Sequence, residues 1–129
     1  MAEPGQGFYP HQAAIEGYGN GGFRFAGMSH RGSLLCLPTG MHKWDVTTPA
    51  GITAHNLQPV FDAADQIDVL LVGLGTEITG FDKALRSSLR ERGIIVEAVA
   101  TGGAVRTYNI LLGESRAVGA ALIAVETSR

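Results

Sequence analysis

Val69, Leu70, Leu71 and Val72 form an unbroken apolar run. A strand with one wet face alternates apolar and polar residues, so this run reads as a strand covered on both faces. Such strands lie at the centre of a parallel or mixed sheet with helices packed on it. Gly73 and Gly75 break the run, and a tight loop is expected there because glycine accepts positive φ. Thr79 and Asp82 then have the spacing of a capping pair. Phe81, Ala84, Leu85, Ser88 and Leu89 make one helical face, with Lys83, Arg86, Arg90 and Arg92 mostly on the other. Gly93 is a natural helix stop, and Ile94–Val99 is the next strand. Strand, glycine loop, helix and strand make a βαβ unit. Thr101-Gly102-Gly103 reads as a loop, Ala104 to about Leu112 as a short helix, and Val118–Val125 as a final buried strand whose Gly119-Ala120-Ala121 implies close packing.

Upstream, Gly21 to Val46 reads as β structure. Phe23 and Phe25 flank Arg24, Leu34–Leu37 is a strand ended by Pro38, and Met41–Val46 carries Trp44. The stretch from Ala26 to Ser33 has turn character. Thr53 is placed to cap a helix through Leu57, Val60, Phe61 and Ala64, which Pro59 delays or kinks. Residues 1–20, rich in Gly, Pro and Gln, read as a flexible tail. Phe8, Tyr9, Ile15 and Tyr18 are more apolar than a spacer needs, so a short docking segment is the alternative. Residues 21–129 are expected to form one α/β domain, a mixed central sheet with helices packed on it and a β-rich N-terminal part.

The chain has 129 residues, enough for one domain with a core of its own. A net charge of −2 gives no basic excess to hold nucleic acid. The single cysteine, Cys36, allows no intramolecular disulfide and fits a reducing compartment. The first residues lack the basic and apolar regions of a secretory signal, and no apolar run reaches the ~20 residues of a membrane helix. A cytoplasmic protein without membrane insertion is therefore expected.

Gly73-Leu-Gly-Thr-Glu-Ile resembles the start of a dinucleotide fingerprint, with Glu97 near the place of a ribose-binding acid. Ile78 stands where the third glycine belongs, and the 32 residues after Glu97 are too few for a complete dinucleotide domain. A tight βα turn is the plainer reading. Gly73, Gly75, Thr76, Thr101, Gly102, Thr107, Tyr108 and Asn109 are the candidate site residues. Ligands favour the C-terminal ends of strands in open α/β sheets, and these residues gather near such an edge. Locally, Thr101 would cap a helix, Tyr108 would pack and hydrogen-bond, and Asn109 would satisfy backbone groups. His11, His30, His42 and His55 have no ligand spacing, so no metal is expected, and no cofactor either. Cys36, between Leu35 and Leu37, reads as a buried small side chain. No nucleophile–base pair is evident.

Several motifs together resemble the Mth938-like family, also called DUF498. They are Trp44, the run from Val69 to Thr76, Arg92-Gly-Ile-Ile-Val-Glu97, Thr101-x-x-Ala104-x-x-Thr107-Tyr108-Asn109-x-Leu111, and Glu114-x-Arg116 followed by Val118–Ile123. The likeness spans roughly residues 22–125. It implies a small three-layer α/β domain with a mixed central sheet. The family's mitochondrial members include complex I assembly factor 3-type proteins, which work by binding a partner, and another animal member is linked to adipogenesis. The tail lacks the Arg-rich amphipathic character of a mitochondrial presequence, which favours a bacterial cytoplasmic member. The resemblance thus implies a non-enzymatic protein-binding or assembly-factor module with a protein partner. The alternative is a small-ligand-binding protein or enzyme using the crevice at the strand ends. A homo-oligomer formed through an unpaired edge in the N-terminal part is a third expectation.

Overall fold

The computed structural model describes residues 8–76 and 79–127. Six strands come first: β1 (Phe8–Tyr9), β2 (Gly17–Gly19), β3 (Gly22–Phe25), β4 (Met28–Arg31), β5 (Ser33–Leu37) and β6 (Gly40–Trp44). Then follow α1 (Gln58–Asp62), β7 (Val69–Gly73), α2 (Lys83–Glu91), β8 (Ile95–Val99), α3 (Thr101–Gly113) and β9 (Val118–Leu122). One mixed sheet runs β1-β6-β5-β9-β7-β8, and β2-β3-β4 form a second, antiparallel sheet. The apolar run is β7, parallel to both β8 and β9; β5 pairs antiparallel with β9.

Strand pleating sends alternate side chains to opposite faces, and here both faces are buried. Leu70 and Val72 join Leu35, Leu37, Ala121 and Ile123 in a core shared with Val60 of α1 and with Leu85 and Leu89 of α2. Leu71 joins Leu34, Cys36, Ala120 and Leu122 on the other face, under Ala104, Val105 and Tyr108 of α3 and Phe23 and Phe25 of β3. The result is the three-layer α/β domain. The close packing expected at β9 is real: a Cβ on Gly119 would lie 3.3 Å from Leu37 Cδ2 and 3.4 Å from both the Cys36 carbonyl oxygen and Ile67 Cδ1.

The expected Thr79–Asp82 capping pair does not form: Asp82 is itself the N-cap of α2 and accepts the Leu85 N–H at 3.0 Å. The helix stops at Gly93, φ +86°. There Gly93 N–H donates to Arg90 O and Ile94 N–H to Leu89 O, both at 2.9 Å, closing a Schellman motif.

Four further local expectations change. Met28–Arg31 is a strand rather than a turn, because Ala26 (φ 50°) and Gly27 (φ 74°) reverse the chain in two residues. Thr53 does not cap α1; it exchanges hydrogen bonds with Asn56, and the helix begins at Gln58 with Pro59 in its first turn. Helix α3 begins three residues early, at Thr101, with Ala100 as its N-cap. The tail expected over residues 1–20 does not hold for residues 8–20. Phe8 and Tyr9 pair with His42 and Met41, Ile15 is buried, and Gly17–Gly19 pair with β3. Residues 1–7 lie outside the described residues.

Candidate functional site

Thr101 ties the C-terminal ends of the central strands together. Its buried Oγ1 accepts the Gly75 N–H at 2.9 Å and donates to Ile123 O at 2.7 Å. Its own N–H donates to Gly75 O at 3.0 Å, and Ile123 N–H donates to Gly73 O at 2.9 Å. The two glycines serve this closure. A Cβ on Gly73 would stand 3.0 Å from both Thr101 Cα and Thr101 Oγ1 and 3.1 Å from Leu122 Cδ2. Gly75 turns with φ +83°, a conformation other L-residues rarely adopt. The place a dinucleotide pyrophosphate would need against Gly73 is occupied by the chain's own threonine. Ile78, the departure from the fingerprint, lies outside the described residues.

Gly75, exposed Thr76 and buried Gly102 do share a hollow. A cavity of about 290 Å³ is lined by them with Tyr18, Ala100 and Val125. A neighbouring cavity of about 380 Å³ also reaches Gly75 and Thr76, alongside Thr48, Pro49, Ala124 and Glu126. Thr107, Tyr108 and Asn109 do not join them. They sit six to eight residues further along α3, about 9–12 Å at the helical rise.

Tyr108 and Asn109 instead hold the segment expected to be a tail. Tyr108 Oη donates to Ala13 O at 2.8 Å. Asn109 Oδ1 accepts the Ile15 N–H at 2.8 Å while its Nδ2 donates to Ile15 O at 2.9 Å. The side-chain amide thereby pairs with a backbone as a neighbouring strand would. Gln12 Nε2 adds a bond to Val118 O at 2.7 Å. Thr107 is half-buried on the same helix. The local reading of Tyr108 and Asn109 is therefore correct, whereas Thr101 acts as a clasp between strands and not as a helix cap.

Burial, aided by neighbouring Cys36, pushes the Tyr108 phenol above its ordinary range, with Gln12 acting against it. The fully buried Cys36 thiol is likewise raised by desolvation, more than the Tyr108 hydrogen bond lowers it. It is a core side chain, as expected, and not a thiolate nucleophile. His30 bonds to Ser33 O at 3.0 Å within the core. Half-burial lowers the pKa of His42, whose Nε2 meets Thr39 Oγ1 at 3.1 Å. Among the described residues no three His, Cys, Asp or Glu side chains gather as metal ligands.

Sequence reasoning missed a different feature. The large hydrophobic side chains exposed among the described residues, Ile95, Val99 and Ile110, belong to two neighbouring elements, β8 and α3. The sequence places Ile95 and Val99 on a strand without saying which of its faces is covered, and the end position of β8 in the sheet leaves them exposed.

Fold and site together define a class: a three-layer α/β domain whose strand ends are clasped by a helix-initiating threonine and whose C-terminal helix holds the N-terminal segment. The chain belongs to the DUF498/DUF598 family, described as proteins of unknown function, whose model matches residues 15–123. An uncharacterised protein of Rhodobacter capsulatus is 40% identical over 109 residues, 84% of this chain and 82% of that protein. NADH dehydrogenase (ubiquinone) 1 alpha subcomplex assembly factor 3 of Mus musculus is 30% identical over 118 residues. That match takes in 92% of this chain but 64% of the mouse protein, so the chain spans under two thirds of that relative. Among solved structures, a Bartonella henselae protein described as an outer membrane protein superposes with a TM-score of 0.87 at 49% identity, over 92% of this chain and 99% of that one. A Bordetella pertussis protein described as an Mth938-like domain superposes with a TM-score of 0.77 at 27% identity, over 99% and 93%. Among the described residues of this chain, no helix is long and apolar enough to cross a membrane.

Proposed function

We propose that the chain is a non-catalytic protein-binding module of the assembly-factor kind, which recognises a protein partner through its surface. The observation that carries this reading is where the candidate polar groups point. Thr101, Tyr108 and Asn109 each direct their side-chain donors and acceptors to the chain's own backbone. A substrate site needs convergent polar groups left over for the substrate. The assembly-factor name of the mouse relative supports the same class, and assistance to a multisubunit enzyme is the first role to test.

The test is capture of tagged full-length chain from its own cells after mild cross-linking. A single protein in near-stoichiometric amount is expected, with an interface of about 1,200 Å² or more in total. Capture of nothing above background would overturn the reading.

The cavity beside Gly75, Thr76 and Gly102 favours a second reading, a small ligand held near the first turn of α3. A thermal-shift screen against nucleotides, flavins, phosphates, sugars and acyl carriers tests it. A ligand at ~100 times its dissociation constant stabilises by about 2.7 kcal/mol. Substitution of Gly75 would strain the backbone at φ +83°, so the discriminating variant is Thr76→Glu, whose side chain is exposed. A shift that this variant removes would select the ligand reading.

A further inference from the structure

Ile95, Val99 and Ile110 are 57%, 41% and 60% exposed. Strand β8 is the last of the sheet, and Ile95, Glu97 and Val99 are in register with Val69, Leu71 and Gly73. They therefore stand on the face that α3 covers above β7, and α3 leaves them bare. Arg106 and Ile110 line the flank of α3 beside them. A Cβ on Gly103, one turn before Arg106, would lie 3.6 Å from Val99 Cγ2 and 3.9 Å from Arg106 Nη2. Ile110 follows Arg106 by four residues on the same stripe.

The backbone of β8 is open on the same side. Ile95 N–H donates to Asp68 O at 2.9 Å and Leu74 N–H to Val99 O at 2.8 Å. In a parallel ladder this turns residues 95, 97 and 99 toward β7 and leaves the N–H and C=O groups of Val96 and Ala98 pointing outward. Arg86 marks the direction, since its Nη1 donates to Val96 O at 2.8 Å. Lys83 and Arg90, three residues before and four after Arg86, continue a basic stripe of α2 along this edge. With Arg106, four of the ten Lys and Arg side chains belong to the two helices that flank this strand, against Glu97 on the strand itself and Glu91 at the end of α2, in a chain whose net charge is −2. That is a local positive field against the sign of the whole molecule.

We propose that the free edge of β8 takes up an extended segment of a partner protein whose side chains alternate acidic and apolar. An added strand sends alternate side chains to opposite faces. Its acidic residues meet Lys83, Arg86 and Arg90 on the α2 face. Its apolar residues cover Ile95, Val99 and Ile110 on the α3 face, where Glu97 disfavours an acid. The inference rests on the protein-binding reading and adds the place and the chemistry of the partner. A second copy of this chain fits less well. Pairing β8 with itself about a two-fold axis brings the basic stripe of α2 against its own copy, and a register centred on Glu97 opposes two carboxylates. Arg86 serves as the cap of the edge in the free chain. On docking, the incoming strand replaces Arg86 at Val96, and an incoming carboxylate receives the guanidinium.

The experiment titrates the full chain, labelled for amide NMR, with a capped peptide of about eight residues alternating valine and glutamate. A valine–lysine counterpart is the control. The valine–glutamate peptide is expected to shift the Val96 and Ala98 amides and to lose affinity between about 0.05 and about 0.5 M salt, as the charges are screened. Arg90→Glu should weaken it by about tenfold, since it turns an attraction into a repulsion. Ala98→Pro removes the outward N–H, at the cost of fixing φ beside the core, and should abolish binding; if that variant does not fold, Arg90→Glu carries the test. Equal binding of the lysine peptide, unmoved Val96 and Ala98 amides, or unchanged affinity in Arg90→Glu would overturn the proposal. So would a dimer of the free chain that Ala98→Pro dissociates. A cellular partner retained by Arg90→Glu would overturn this edge while leaving the protein-binding reading intact, whereas loss of both requires no partner at all.

Discussion

The two flanks of α3 carry opposite residues in opposite states. Toward the N-terminal segment and the strand ends stand Thr101, Tyr108 and Asn109, polar groups engaged by the backbone of residues 13, 15, 75 and 123. Toward β8 stand Arg106 and Ile110, with Val99 and Ile95 beyond them, exposed. Residue type alone suggests the reverse, with polar residues serving a ligand and apolar ones serving the core. A buried polar group and a clustered exposed apolar group are each more telling than residue type alone. Here the first holds the fold and the second is left available.

The sharpest way to break this contrast is Thr101→Val, which keeps the shape and removes the hydroxyl. It orphans the Gly75 N–H and the Ile123 carbonyl, both in buried hydrogen bonds. Unsatisfied buried groups cost ~1–3 kcal/mol each, so a loss of about 2–4 kcal/mol is expected in urea unfolding. Thr101→Ser keeps the oxygen and should cost clearly less. Equal losses would mean that the methyl group matters and the clasp does not. Asn109→Ala comes next. It frees both backbone groups of Ile15, and a loss of about 1–3 kcal/mol is expected. Hydrogen exchange at the Ile15 amide should accelerate far more than at Leu71; uniform acceleration would argue against a local tether.

At the end of α3, where the flanks meet, Ser115 holds φ +61° at the C′ position, with its N–H on Leu112 O and the Arg116 N–H on Leu111 O, each at 3.0 Å. This is the Schellman geometry of Gly93 built without glycine. Ser115→Gly should stabilise by about 0.5–1 kcal/mol, because the left-handed region costs an L-residue about 1–2 kcal/mol and glycine's larger loss of chain freedom offsets about half of that. A decrease in melting temperature would refute the assignment of strain.

The central sheet was legible because burial on both faces leaves a mark in one strand: Val69–Val72 shows no alternation. The stop at Gly93 was legible because it is local. The start of α3 was not. Gly102 and Gly103 each disfavour helix by about 1 kcal/mol, and what overrides them is the bonding of Thr101 to residues 26 and 22 positions away. The order of residues 8–20 was hidden for the same reason. Ile15 is held by Asn109, 94 residues later, and no local pattern announces such a partner. The candidate site was half legible. Gly73, Gly75, Thr76, Thr101 and Gly102 do meet at the strand ends, but the sequence could not say that Thr101 would fill the space between them. The exposure of Ile95 depends on where α3 stops covering the sheet, which is a property of packing.

The smallest expected effect falls on the open flank. Ile110→Ser removes an apolar side chain of α3 that is 60% exposed. Surface substitutions of this kind stay within about 0.5 kcal/mol, so urea unfolding should barely move. A large loss would mean that Ile110 already contributes to the core, and the contrast between the flanks would fail. If stability holds while capture of the protein partner weakens, the exposed apolar flank is used for binding in the assembled state, and the two sides of one helix divide folding from recognition.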